Sequence, residues 1–221
     1  MQTALIIGAS GGIGSALHAR LLGQSVSVTT LSRSADGFDL MNPDKSNAIL
    51  GTLTGPYDMI FVASGALEIE GAAPEKSIKA VSAQAMMDQF ALNAVGPALV
   101  LGHAARLMPR DRRCLIAVLS ARVGSIGDNR LGGWVSYRAA KAAVNQIVHT
   151  TAIELARTHK QSVCVALHPG TVQTAFTEKY VGRHPAVKPD KAAQNLLAVA
   201  QSLTHADTGG FFDWAGQTVP W

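Results

Sequence analysis

Charge is scarce in this sequence. Asp, Glu, Lys and Arg together supply 15% of the residues, too few for a chain kept disordered by charge and low apolar content. Aromatic residues are scarcer still at 5%, and the basic residues are scattered singly, so the basic, aromatic-interleaved surface of a nucleic-acid binder is missing. The formal charge of +4 then reads as a mildly basic surface that suits an anionic ligand. The only cysteines, Cys114 and Cys164, each lie inside an apolar run, where a disulfide scaffold is the rare outcome and buried free thiols, in a reducing compartment, are expected. Long apolar runs are lacking too, and Met1 to Gly8 has no basic leader. The expectation is a cytoplasmic protein with no membrane partner. His149, His159 and His205 stand apart from any cysteine or carboxylate spacing that would hold a metal.

What the chain does have is apolar material: 48% of 221 residues, ample for the core of one domain spanning 1–221. Short β-branched runs alternate with longer helical patterns, which predicts an α/β fold: a doubly wound, Rossmann-like parallel sheet of about seven strands with helices on both faces. Strands are expected at Ala4 to Ile7, Val26 to Leu31, near Phe38, Met59 to Ala63, Cys114 to Leu119, Val163 to Leu167 and Phe211 to Trp214. Helices are expected at Ile13 to Leu22, Lys45 to Leu50, Ala83 to Met108, Trp134 to Thr158 and Asp190 to Ser202. Too few residues separate Arg33 from Phe38 for a full crossover helix, so one crossover is shortened. Residues 175–189 carry Gly182, Pro185 and Pro189 without periodicity; they read as a substrate flap, or as a surface excursion.

Two spacings carry chemistry. The first strand runs directly into Gly8-x-x-x-Gly12-x-Gly14, a turn that lets backbone approach a phosphate while the following helix aims its unpaired N–H groups at the anion. Further on, Tyr137-x-x-x-Lys141 puts a phenol and an ammonium on one helix face, with Cβ atoms roughly 5–6 Å apart. Bringing a phenol from pKa ~10 to ~7 takes roughly 4 kcal/mol, and one positive charge ~4 Å away in an effective dielectric of ~20 supplies about that much.

Gly8-Ala9-Ser10-Gly11-Gly12-Ile13-Gly14, Asn93 within Leu92 to Pro97, Tyr137-Arg138-Ala139-Ala140-Lys141 and His168 to Thr174 together resemble the short-chain dehydrogenase/reductase family over nearly the whole chain. Ser120 to Ile126 and the ending Phe211 to Trp214 resemble its C-factor-like branch. The resemblance implies hydride transfer between a nicotinamide and a small carbonyl or alcohol compound. Tyr137 would be the general acid or base; Lys141 would lower its pKa and hold the nicotinamide ribose; Asn93 would anchor a relay water. It also implies a dinucleotide held by Gly8, Ser10, Gly12, Ile13, Gly14, Ser32, Arg33, Asp39, Leu40, Ala63, Ser64, Gly65, Pro169, Gly170, Val172 and Thr174. At the end of the second strand Ser32-Arg33 replaces the acidic residue that would take a ribose 2′-hydroxyl, which favours NADP over NAD. The aromatic residues Trp134 and Phe176 hint at an apolar substrate or pack the flap. The family also implies a homo-oligomer, a dimer or tetramer, compatible with apolar outer faces at Ala91, Ala98, Ala142, Val144 and Ile147.

Two departures stand out. Ala121 occupies the position where the family places a substrate-orienting serine, leaving Ser120 or Ser125 as replacements, or none. Ala63-Ser64-Gly65 stands where Asn-Ala-Gly is common. A dinucleotide-binding signalling or regulatory protein with little catalysis is therefore the alternative function.

Overall fold

In the computed structural model, residues 1–174, 177, 180 and 185–221 are described. Strands β1 (Thr3–Ile7), β2 (Ser27–Leu31), β3 (Met59–Val62), β4 (Cys114–Leu119), β5 (Ser162–His168) and β6 (Phe211–Asp213) pair in parallel as one sheet, in the order β2-β1-β3-β4-β5-β6. The helices are α1 (Gly12–Gly23), α2 (Arg33–Asp36), α3 (Pro43–Thr52), α4 (Ala83–Phe90), α5 (Gly96–Gly102), α6 (Ala104–Leu107), α7 (Val135–Leu155) and α8 (Pro189–Ser202).

The central strands are apolar on both sides because both sides are covered. Ala4, Ile6, Leu115 and Ala117 pack with Leu17 and Leu21 of α1 and Leu196 of α8, while Leu5, Ile7, Ile116 and Val118 pack with Leu50 of α3, Val100 of α5 and Val148 of α7. From β1 the chain crosses first to β2 on one side and then back to β3 on the other. That reversal opens a crevice at the carboxyl ends of β1 and β3, where open α/β sheets hold their ligands.

Three expectations need correction. The sheet has six strands among the described residues, because no strand forms near Phe38. Ser32 caps α2 by accepting from Ala35 N at 3.2 Å, Asp36 takes Ser32 N at 2.7 Å, and Gly37 leaves the turn at φ 60°. This local bonding uses the residues that an edge strand would need, and Phe38 and Leu40 bury their side chains in the core instead. With no strand there, the crossover from β2 to β3 carries α2, four residues long, followed by the ten-residue α3.

The long pattern from Ala83 to Met108 is not one helix. It is broken by a π-helical turn over Ala91–Val95 and again at His103, between α5 and α6. Pro97 has no N–H to give the carbonyl of Asn93 four residues earlier, and a widened turn is the backbone's accommodation. Val144, expected on an outer face, is fully buried against the sheet.

Candidate active site

The crevice begins with main chain. Gly8 N and Ala9 N both donate to Leu31 O, at 2.8 and 3.3 Å, which binds the glycine turn to the end of β2. A Cβ on Gly14 would lie 2.2 Å from Gly8 O, so α1 can begin this close to β1 only without a side chain. No side chain caps α1, and its first N–H groups keep their capacity for an anion. A Cβ on Gly12 would lie 2.6 Å from Thr174 Cγ2, which places Thr174 against the same turn.

Across the crevice, Ser64 N lies 2.9 Å from where a Cβ on Gly8 would stand, and Ser64 Oγ is buried without a partner among the described residues. A backbone cradle that excludes Cβ atoms, an uncapped helix of full length and an orphaned hydroxyl fit a bound dinucleotide. Arg33 is exposed, with its guanidinium unpaired among the described residues, beside buried Ser32. Asp39 spends one carboxylate oxygen on Met41 N at 3.0 Å, and the Leu40 side chain lies in the core beneath Gly96.

The crevice continues to a group of buried polar side chains. Gly65 closes β3 at φ 151°, and a Cβ there would lie 2.7 Å from Asn93 Oδ1 and 3.5 Å from Lys141 Nζ, so three elements converge on one glycine. Asn93 is fully buried in the π turn; its Nδ2 donates to Ala66 O at 2.9 Å and to Gln89 Oε1 at 2.7 Å, and its Oδ1 accepts from Ala66 N at 3.3 Å. Lys141 is 3% exposed, donates to Leu119 O at 3.0 Å, and holds Nζ 5.7 Å from the centroid of the Tyr137 ring. Burial pushes the Lys141 ammonium down to about 8 and raises the Tyr137 phenol above its usual range. An ammonium beside the ring favours the phenolate over the phenol. It offsets part of the burial.

The N-terminus of α7, which carries this pair, is fixed by Glu75. The Glu75 carboxylate accepts from Ser136 N and Ser136 Oγ, and its main-chain carbonyl accepts from Trp134 N at 2.5 Å. The Trp134 ring is 6.4 Å from Tyr137 and 5.5 Å from Tyr180, both edge-on, and Tyr180 Oη donates to Glu68 at 2.7 Å. These rings wall one side of the buried polar cluster.

The two serines near Ala121 are engaged elsewhere. Ser120 Oγ donates to Asn145 Oδ1 at 2.6 Å, one turn beyond Lys141 on α7; Ser125 Oγ donates to Pro220 O and accepts from Asp128 N at 3.0 Å. Burial pushes His168, at the end of β5, down to about 4, with Arg122 acting in the same direction; Pro169 and Gly170 follow, and Gly170 packs against Trp214. Val172 is buried and bridges to Val187, so the base of segment 175–189 is pinned. Most of the expected flap, with Phe176, lies outside the described residues. The described residues contain no group of three His, Cys, Asp or Glu able to hold a metal, and no helix long and apolar enough to cross a membrane.

Sequence reasoning missed Gln89, Glu75 and the Leu119 carbonyl. Gln89 carries a signal, standing four residues before Asn93 on one helix face. Glu75 carries none, since its partners are 61 residues away.

Comparison with known proteins gives matches over the whole chain. A family described as short chain dehydrogenase matches residues 38–184, a stretch that begins after the glycine turn. The 1-hydroxy-2-glutathionyl-2-methyl-3-butene dehydrogenase of Rhodococcus sp. (strain AD45) is 27% identical, the match covering 100% of both chains. The C-signal protein of Myxococcus xanthus is 30% identical over 76% of this chain and 95% of its own. A solved short-chain dehydrogenase/reductase from Burkholderia multivorans with bound NADP superposes with a TM-score of 0.80 at 27% identity, covering 100% of this chain and 99% of that one.

Proposed function

The chain belongs to the short-chain dehydrogenase family, which makes it an NAD(P)-dependent oxidoreductase, and from that premise we propose that it moves a hydride between NADP(H) and a small carbonyl or alcohol compound, with Tyr137 and Lys141 as its reacting pair. The observation that carries this reading is the burial of Lys141 beside the Tyr137 ring, under the point where Gly65 and Asn93 meet. An ammonium withdrawn from water costs stability, and a purely structural α7 has no use for one.

When bound, the dinucleotide supplies or accepts the hydride at its nicotinamide. The glycine turn and the N-terminus of α1 would hold its phosphates, Ser32 and Arg33 the 2′-phosphate, Ser64 and Gly65 the adenosine side, and Thr174 the nicotinamide side. In carbonyl reduction Tyr137 gives its Oη proton to the carbonyl oxygen as the carbon becomes tetrahedral, and Lys141 stabilises the phenolate left behind. Asn93, whose side chain is spent on Ala66 and Gln89, acts through its main-chain carbonyl: the N–H that would serve it in an α-helix is missing at Pro97, and a water accepted there feeds protons back toward Lys141. The rings of Trp134 and Tyr180 suit an apolar substrate.

A screen of ketones and aldehydes with NADPH and with NADH tests the reading. A substrate so found should lose at least about 100-fold in kcat with Tyr137→Phe, the scale of a lost general acid, while dinucleotide affinity stays within about twofold. A second reading, a C-factor-like protein that binds the dinucleotide for signalling and catalyses little, is favoured by the engaged hydroxyls of Ser120 and Ser125 around Ala121 and by the likeness to the C-signal protein. Tight NADPH binding with no turnover of any compound would select it.

A further inference from the structure

The uncapped N-terminus of α1 offers free donors to an anion, but the end of β2 does not. Where β2 ends, Asp36 Oδ2 accepts from Ser32 N at 2.7 Å and lies 3.3 Å from Ser32 Oγ, while Ser32 Oγ itself accepts from Ala35 N at 3.2 Å. Ser32 adjoins Leu31, whose carbonyl takes Gly8 N and Ala9 N, so the Asp36 carboxylate sits at the adenosine end of the crevice. The acidic residue expected at the strand's end is absent from the sequence there, yet a carboxylate has returned to the place from four residues downstream.

We propose that Asp36 is a selectivity residue that weakens binding of the 2′-phosphorylated dinucleotide and keeps the unphosphorylated one competitive. A 2′-phosphate carries close to two negative charges and needs N–H and O–H donors. Asp36 has taken the N–H of Ser32 and adds a like charge beside the place the phosphate must occupy. A ribose 2′-hydroxyl meets the opposite situation, because a carboxylate has acceptor capacity beyond the two bonds described and can take its proton. Arg33 pulls the other way. Preference for one dinucleotide is thus the difference between an exposed guanidinium and an exposed carboxylate separated by one short turn, and both are screened by salt.

The inference rests on the reading that Ser32 and Arg33 face the adenosine ribose. Asp36→Asn tests it, since an amide oxygen can still accept from Ser32 N and keep the turn while the charge is gone; an unchanged melting temperature verifies that. Dissociation constants for NADPH and NADH, measured by calorimetry without substrate, should give a ratio shifted about three- to tenfold toward NADPH at low ionic strength, the size of one exposed like charge at a phosphate. The shift should shrink in 0.5 M salt. A ratio unchanged within experimental scatter at low ionic strength overturns the role of Asp36. Arg33→Ala separates the underlying reading: if it leaves NADPH affinity unchanged while Asp36→Asn shifts the ratio, Arg33 is not the phosphate's partner and Asp36 stands alone as discriminator. If the wild type binds neither dinucleotide, the dinucleotide reading and the proposal fail together.

Discussion

The two halves of the crevice are built from different materials. At β1 and α1 everything is main chain: the glycine turn is bonded to Leu31, and Gly14 packs on Gly8 with no room for a Cβ. At β4 and α7 the material is buried ionisable side chain, Lys141 and Tyr137, held by a carbonyl and a ring. The first half is specified sterically, so it should fail all at once on a small change of volume and be indifferent to pH. The second is specified electrostatically and should fail gradually, as protons come and go.

The sharpest way to break the comparison is Gly14→Ala. The added methyl would lie 2.2 Å from a main-chain oxygen, a contact that moving a flexible side chain cannot relieve, so either β1 or the start of α1 must shift. Dinucleotide affinity should fall by about 100-fold or more, on the scale of several unmade charge-assisted hydrogen bonds, and by the same factor at pH 6 and pH 9. An alanine variant that binds within tenfold of the wild type would show that the turn is not the rigid half.

Lys141 supplies the opposite behaviour. Its folded pKa of about 8 lies below the ordinary 10.5, so the charge proposed to stabilise the Tyr137 phenolate is half lost at pH 8 and falls further above it. The kcat/KM for carbonyl reduction should fall by about tenfold per pH unit above 8. Stability should move the other way. Between pH 8 and 10.5 the unfolded chain holds a proton at this lysine that the folded chain has released, so folding becomes more favourable as pH rises, by up to about 3 kcal/mol. The penalty is fully present below pH 8. The buried thiols Cys114 and Cys164, raised by burial to about 11 and about 12, oppose the trend from their unfolded value of 9.0 upward, and Tyr137, also raised by burial, joins them above its own unfolded value near 10. Urea unfolding of the wild type and of Lys141→Met from pH 7 to 10 checks this: the difference in stability between the two should shift toward the wild type as pH rises, while the thiol contribution above pH 9 is common to both.

These halves were also unequally legible in the sequence. The tight turn at Gly8, Gly12 and Gly14 is legible because a strand runs into that spacing and a helix follows it, and the shared face of Tyr137 and Lys141 needs only the period of a helix. The edge of the sheet at Phe38 was misread because capping by Ser32 and Asp36, a local competition for backbone groups, overrode an apolar pattern fit for a strand. The single helix read from Ala83 to Met108 ignored Pro97, a breaker in plain view whose effect appears one turn upstream, in the π turn around Asn93. Long-range partners such as Glu75 on Ser136 leave no local trace at all.

The smallest expected effect concerns what is missing between the halves. Ala121 lies in extended backbone at the end of β4, immediately before the turn in which Gly124 N returns to Ala121 O at 2.8 Å and Gly124 packs against Lys141. Both nearby hydroxyls are already engaged, Ser120 with Asn145 and Ser125 with Pro220. Removing an evolved oxyanion donor costs roughly 100- to 1000-fold, whereas installing one in a site not shaped around it should recover only a fraction. Ala121→Ser is therefore expected to raise kcat for carbonyl reduction by about tenfold, with dinucleotide affinity unchanged. Ser120→Ala should lower stability through loss of its bond to Asn145 without a comparable loss of kcat. A Ser120→Ala variant that instead loses about 100-fold in kcat at unchanged stability would show that this hydroxyl leaves Asn145 when substrate binds. The missing donor would then belong to the side-chain half after all, as a group that moves.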